Sequence, residues 1–462
     1  MKKIFLVLMA IAGLATCAWA QTTYNMNVRL NDGTVVTYAA DDVAEVTFEE
    51  AEQPFNILTE EFIPDAVLRD YIKTNIANGE DVYTNVQAAA YNGAININGL
   101  RVFNFQGLEF FTNLQELYCS GLNIQAIDIS ALKNLRVFDA SSCQFLTSLT
   151  TGEMEKMEDF NISRCPKLTG YDLNQLPSSL KSLKVISLKY ASIPFDLFPN
   201  LETLEADMNL LTELDLQGNT TIKRISLSGN ALTSVNLNGC ENLEYLVLSY
   251  NTNLSSIDIS GCNHITDLFL QNTQIADLDL TPFAGSLKQL NVSYNGMTSL
   301  DVSQCTELTY LECQNNNLTQ AMDFSNNTKL TDLRIESNQV PSVNLKNCNQ
   351  LQTLNCYSNE ALTSLILPDD QSHITLLNAF SIPNVTELNI GNMTAVEWFS
   401  VYVTGLTRID ISNVNQNAKG IYLYYNDNLR QIKVWSDFDM NNPPANVFKD
   451  DTAEFVYEFT EE

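Results

Sequence analysis

Four aromatic residues, Tyr357, Phe380, Tyr402 and Tyr424, stand 22 or 23 residues apart, and Trp398, Tyr422 and Tyr425 lie beside them in the same segments. Side chains of this type bind by stacking, and tyrosine and tryptophan are favoured anchors of protein interfaces. On adjacent strands such a column recurs every ~5 Å, so its rings can stack on one another, on sugar rings or on a partner's side chains. These seven residues are the candidate ligand-binding set. The same column can equally stiffen the end of a repeat array, or pack beneath residues 437–462, because the ends of such arrays need covering.

A second column is acidic: Asp128, Asp215, Asp258, Asp279, Asp301 and Asp410, with Asn236, Asn344 and Asn389 interspersed. Stacked carboxylates can collect Ca²⁺, which takes several oxygen ligands. No glycine-rich calcium loop accompanies them, and the asparagines relieve repulsion without an ion, so no metal is assigned. The only histidines, His264 and His373, occupy equivalent positions in distant repeats and read as surface residues. With no Ser/His/Asp set, metal triad or phosphate-cradling glycine loop, the chain is read as a non-enzyme without a cofactor.

The ten cysteines do not read as a disulfide framework. Cys240, Cys262, Cys305 and Cys348 share one repeat position, Cys143 and Cys165 stand where other repeats carry asparagine, and Cys119, Cys313 and Cys356 replace inward-facing aliphatics. These are small core residues, read as free thiols. Cys240 and Cys262 would be stacked neighbours, so a bridge between them stays open.

What positions all of these residues is a repeat. From residue 114 to about 436, leucine-rich segments return every 21 to 23 residues, as in "IKRISLSGNALTSVNLNGCEN" (222–242) and "LKQLNVSYNGMTSLDVSQCTE" (287–307). A fixed period of this size specifies a solenoid. The first half of each unit, L-x-x-L-x-L-x-x-N, alternates with period two and is a strand. The asparagine turns the chain by satisfying backbone groups that the bend would orphan. About eight residues remain for the return, too few for a helix. The expected fold is therefore a β-rich, helix-poor solenoid with a parallel sheet on one face, extended or short segments on the other, and caps at both ends. Insertions with Pro177 and Pro194 predict a distortion between residues 135 and 200.

Flanking segments complete the expected layout. Residues 1–20 have the basic start (Lys2, Lys3), short apolar core and small-x-small end (Ala18-Trp19-Ala20) of a signal peptide. Cleavage after Ala20 is preferred over lipoprotein processing at Cys17. Residues 21–53 form a small β module, with strands over 25–30 and 34–38 around an Asn31-Asp32-Gly33 turn and a third over 43–48. Residues 54–113 supply a cap, helical over 60–78, and a degenerate first coil. The solenoid spans 114–436, and a cap with a strand near 453–460 spans 437–462. A formal net charge of −30 argues against nucleic acid and anionic membrane surfaces and weakly favours basic partners. No later stretch is long and apolar enough for membrane insertion.

The repeats resemble bacterial leucine-rich repeats of the short, roughly 21-residue kind. "GLEFFTNLQELYC" (107–119) resembles the entry into the repeats of internalin-like proteins, and "MNVRLNDGTVVTYAADDVAEVTFE" (26–49) resembles a leader module of secreted proteins from Gram-negative gut-type bacteria. The resemblance covers about three-quarters of the chain. It implies a secreted or cell-surface interaction protein that binds a protein partner or mediates adhesion, taken as a monomer. Unlike wall-anchored internalins, the chain shows no C-terminal sorting motif. The alternatives are a glycan-binding module using the same aromatic patch, and a structural scaffold or spacer.

Overall fold

The unit of this fold is a three-residue strand whose middle side chain is apolar and whose flanking side chains face outward. In the computed structural model, which describes residues 25–29, 35–39 and 53–460, that unit recurs along most of the chain. The chain divides into two compact units, Met1–Pro54 and Phe55–Glu462. Within the first, the strands Asn25–Arg29 and Val35–Ala39 pair antiparallel. The expected signal peptide and the strand expected over 43–48 lie outside the described residues.

In the second unit, seventeen short strands among the described residues, from Ala94–Asn96 to Val447–Lys449, form one parallel sheet. The register keeps every inward residue opposite another: Leu183 faces Leu204, Leu204 faces Ile225, and Ile225 faces Leu246. All four are buried, so a one-residue slip would turn this row out to solvent. The return side of the coils carries only short sheets, such as Met322–Asp323 with Ser342–Asn344 and Ser364–Ile366. The result is a helix-poor parallel β-solenoid of about 16 turns.

In the main sheet, each strand but the last leads into a turn through the left-handed region. Gly121 and Gly229 suit such a position, but Tyr250, Tyr294, Val403 and Tyr425 also occupy it, at φ of 60°, 59°, 52° and 55°. The next position is the asparagine column. Asn316 accepts from the backbone N–H groups of Asn295 and Met297 at 3.1 and 2.9 Å, and donates to the carbonyls of Val292 and Cys313 at 2.9 and 3.0 Å. One buried amide thus joins two coils. Asn209 repeats the pattern with Leu188, Tyr190, Val185 and Ala206.

The distortion expected between residues 135 and 200 does not interrupt the main sheet: Asp159–Asn161 pairs with Ser182–Lys184, which pairs with Thr203–Glu205. The extra residues go to the return side, where the 3-10 turns Leu173–Gln175 and Phe195–Leu197 absorb them.

At the N-terminal end the helix Ala66–Asn75 is shorter than the 60–78 expected, because Asp65 caps it by accepting from the N–H groups of Val67 and Leu68, each at 3.0 Å. Its Leu68 and Ile72 are buried. A second helix, Asn85–Ala90, starts with a capping box between Thr84 and Gln87. At the C-terminal end, Val447–Lys449 extends the main sheet and Glu454–Val456 extends the return-side sheet. Phe455 packs on Phe438 at 4.6 Å between ring centroids. Residues 437–460 therefore build a further coil. Among the described residues no helix is long and apolar enough to cross a membrane.

Candidate binding face

Because the strands are parallel and in register, outward residues line up in columns across the main sheet. The column two residues beyond each strand carries Tyr357, Phe380, Tyr402 and, in the next coil, Tyr424. Tyr357 stacks on Phe380 with 4.4 Å between ring centroids and 6° between planes, and Phe380 stacks on Tyr402 at 4.4 Å and 4°. Tyr402 stacks on Tyr424 at 5.0 Å. A second stack runs beside the first, from Trp398 through Tyr422 at 6.2 Å to Phe448 at 5.0 Å. Edge contacts at 6.0 and 4.9 Å join Tyr424 to Tyr422 and Tyr425. The structure thus brings all seven expected residues into one contiguous group.

The stacking decides which part of each ring is available. Between Tyr357 and Tyr424 each inner face is covered by a neighbouring ring, so edges and hydroxyls point outward. The four column residues are half-buried, while Trp398, Tyr425 and Phe448 are exposed. Phe448 was missed because it lies in the region expected to cap the array, where no repeat spacing marked a strand.

The column changes character on the N-terminal side of Tyr357. Glu336 and then Gln314 follow, both buried. Their neighbour Glu312 accepts from Asn291 Nδ2 at 2.5 Å and from the Tyr310 hydroxyl, and pairs with Arg334 at 3.4 Å. Burial raises the Glu336 carboxyl above its ordinary value, and Arg334 opposes the shift. Burial, then Glu336, then Tyr294 raise the Tyr357 phenol. Further along, the Arg224 guanidinium lies 3.6 Å over the Tyr245 ring, and Tyr245 lies 5.8 Å from Phe269. These two line a shallow hollow with Tyr250 and Gln271. This second aromatic patch was not expected, since its members fall in different columns.

The acidic column has a local explanation. Asp128, Asp215, Asp258, Asp279, Asp301 and Asp410 each accept the backbone N–H two residues on, at 2.9 to 3.1 Å. Asn236 and Asn344 do the same at 3.3 and 3.2 Å. These are side-chain-closed turns on the return side of the coils. The Ser260 hydroxyl and N–H hold Asp258 below the usual carboxylate range, and the Ser303 N–H and hydroxyl do so for Asp301. Among the described residues no group of three or more His, Cys, Asp or Glu is placed to hold a metal ion.

His264 and His373 are exposed, and His264 Nδ1 lies 2.8 Å from the Glu241 carbonyl. All nine described cysteines are free and buried. Cys240 and Cys262 donate to the carbonyls of Leu216 and Leu237 in the preceding coils, at 3.1 and 3.3 Å. Burial pushes their thiols up to about 11 and about 12. They act as weak donors within the core, not as nucleophiles.

Parallel strands, an asparagine ladder and an aliphatic inward column together define a leucine-rich-repeat solenoid. Solved structures of that fold match it. The functional domain of InlJ from Listeria monocytogenes, described as including a cysteine ladder, aligns with a TM-score of 0.50 and 20% identity over 83% of this chain and 76% of that one. An internalin, inlF, from the same organism aligns at 0.44 and 20% over 74% and 99%. YopM from Yersinia enterocolitica aligns at 0.41 and 19% over 79% and 93%. No protein-family model matches the chain, and no curated protein does.

Proposed function

We propose that this chain is a binding protein that recognises a protein partner through the outer side of its long sheet, with the aromatic group at the C-terminal end as the main contact. The observation that carries the reading is the exposure of Tyr425 (67%), Phe448 (42%) and Trp398 (39%) within one connected aromatic group. Single exposed apolar residues are ordinary, whereas a joined patch of them marks an interaction surface. The stacks hold the rings in place before any partner arrives, which lowers the entropy lost on binding.

Glycan recognition by stacking needs free ring faces, and the inner faces of the ladder are already taken. A spacer role leaves the exposed patch without a purpose. The signal-like residues 1–20 support export to the cell surface or beyond, and the charge of −30 supports a soluble protein that attracts basic partners.

The test is affinity capture from bacterial and host surface extracts, comparing the native chain with a double variant, Trp398→Ala with Tyr425→Asn. Asparagine tolerates the left-handed backbone at 425, so the coil is retained. Proteins held by the native chain should be lost by the variant. An identical captured set contradicts the reading. Glycan-array binding that the variant abolishes would transfer the patch to a sugar ligand.

A further inference from the structure

Beside the aromatic ladder, two buried acceptor oxygens, one on Gln314 and one on Glu336, have no donor. Gln314 and Glu336 occupy the same outward column in adjacent coils, and Glu336 is followed by Tyr357. Their exposures are only 8% and 7%, yet Gln314 Oε1 and Glu336 Oε2 make no hydrogen bond. Buried acceptors are normally satisfied, and an unpaired one costs stability. The nearby cation does not relieve them: Arg334 is engaged with Glu312, and its Nε, also buried, has no acceptor. By contrast Glu312, one strand away, is bonded by Asn291 and Tyr310 as well as paired with Arg334. Thr59, Asn327 and Asn359 also carry a buried oxygen without a partner, but Gln314 and Glu336 are set side by side, next to a buried Arg334 Nε that lacks an acceptor, at the edge of the aromatic patch that Tyr357 begins.

We propose that Gln314 and Glu336 form a subsite for a cationic side chain, lysine or arginine, of the protein partner that docks on this face. The two oxygens are closed off from solvent in the free chain, so the partner's group reaches them as the Gln314 and Glu336 side chains turn outward, and a positive group is the donor that matches a carboxylate. Tyrosine rings on the flank favour a cation further. A peptide carbonyl next to the inserted side chain supplies the acceptor that Arg334 Nε lacks. The acidity of the whole chain draws a basic partner in the same direction. The proposal rests on the reading of this face as a protein-binding surface.

The test uses the full chain and a defined probe, tri-lysine peptide, titrated calorimetrically at low salt against the native protein, Glu336→Gln and a control, Glu213→Gln, on the return side. Tri-acetyl-lysine peptide is the neutral counterpart. One site per chain is expected, weakened about tenfold or more by Glu336→Gln, unchanged by Glu213→Gln and absent for the acetylated probe. Because burial disfavours the Glu336 carboxylate, the Tm of Glu336→Gln should equal or exceed that of the native chain. No tri-lysine binding, equal weakening by both variants, or a lower Tm with unchanged binding each overturns the proposal. Capture lost by the Trp398→Ala, Tyr425→Asn variant alongside tri-lysine binding indifferent to Glu336→Gln leaves the docking face without this subsite. The opposite pair of results leaves the subsite without the aromatic contact.

Discussion

Phe380 lies face to face with Tyr402, 4.4 Å between ring centroids and 4° between planes, and an equal distance from Tyr357 on its other side. Phe380, like Tyr402, has both faces covered by neighbouring rings, whereas Tyr357 stacks on one side only. Phe380→Ala should therefore remove two stacking contacts and lower stability by about 2–4 kcal/mol, against about half that for Tyr357→Ala, which loses one. Urea denaturation of both variants checks this, and equal losses would show that the stack contributes nothing beyond burial.

The asparagine column gives a sharper comparison. Asn316 uses both its oxygen and its nitrogen between coils, whereas Asn359 donates to Ile335 and Cys356 at 3.0 Å each but leaves its buried oxygen unpartnered. Asn316→Ala orphans two backbone N–H groups that Asn359→Ala does not. The expected difference is about 1–3 kcal/mol in favour of the Asn359 variant, read from denaturation midpoints.

Val403 is a β-branched residue at φ of 52°, a conformation that is strained for its type. Val403→Asn should raise stability by about 0.5–1 kcal/mol, measured as an increase in Tm. Val403 is also exposed, and its N–H donates to the carbonyl of Tyr425 at 3.2 Å, so it borders the aromatic patch and the same change should weaken partner capture. A variant that is both less stable and fully active would contradict both halves.

The turn-closing carboxylates set the acid limb of stability. Asp258 and Asp279 are held low first by the hydroxyls of Ser260 and Thr281, and Asp301 and Asp323 first by the N–H groups of Ser303 and Ser325. A carboxyl depressed on folding contributes stability above its unfolded value, here 3.8, and loses it as pH falls through the lower folded value. Tm should drop below about pH 4 as these carboxylates are protonated. Asp301→Asn should shallow that drop, which a scan from pH 2 to 6 reads directly.

Much of this was legible because the columns are properties of the period. Leu204, Ile225 and Leu246 reveal the sheet and its register, and the ring column from Tyr357 to Tyr424 follows from the same alignment. What escaped had a different geometry. Arg224, Tyr245 and Phe269 meet across two columns and three coils, so no single column shows them. Glu336 reads as one more polar member of a Ser and Gln column, since the loss of its partners is a matter of packing and not of residue type. The acidic column suggested an ion, but the recurring Asp-x-Ser spacing at 258–260, 301–303 and 410–412 already carried the turn that explains it.

The central claim is that a protein partner docks on the C-terminal part of the main sheet. Its most direct test is photo-crosslinking with p-benzoylphenylalanine placed at position 398, at position 425, or at position 366 on the return side, where Ile366 is also exposed. Covalent adducts with the same captured protein at 398 and 425, and none at 366, are the predicted result. Adducts at 366 alone, or equal labelling at all three positions, would contradict it.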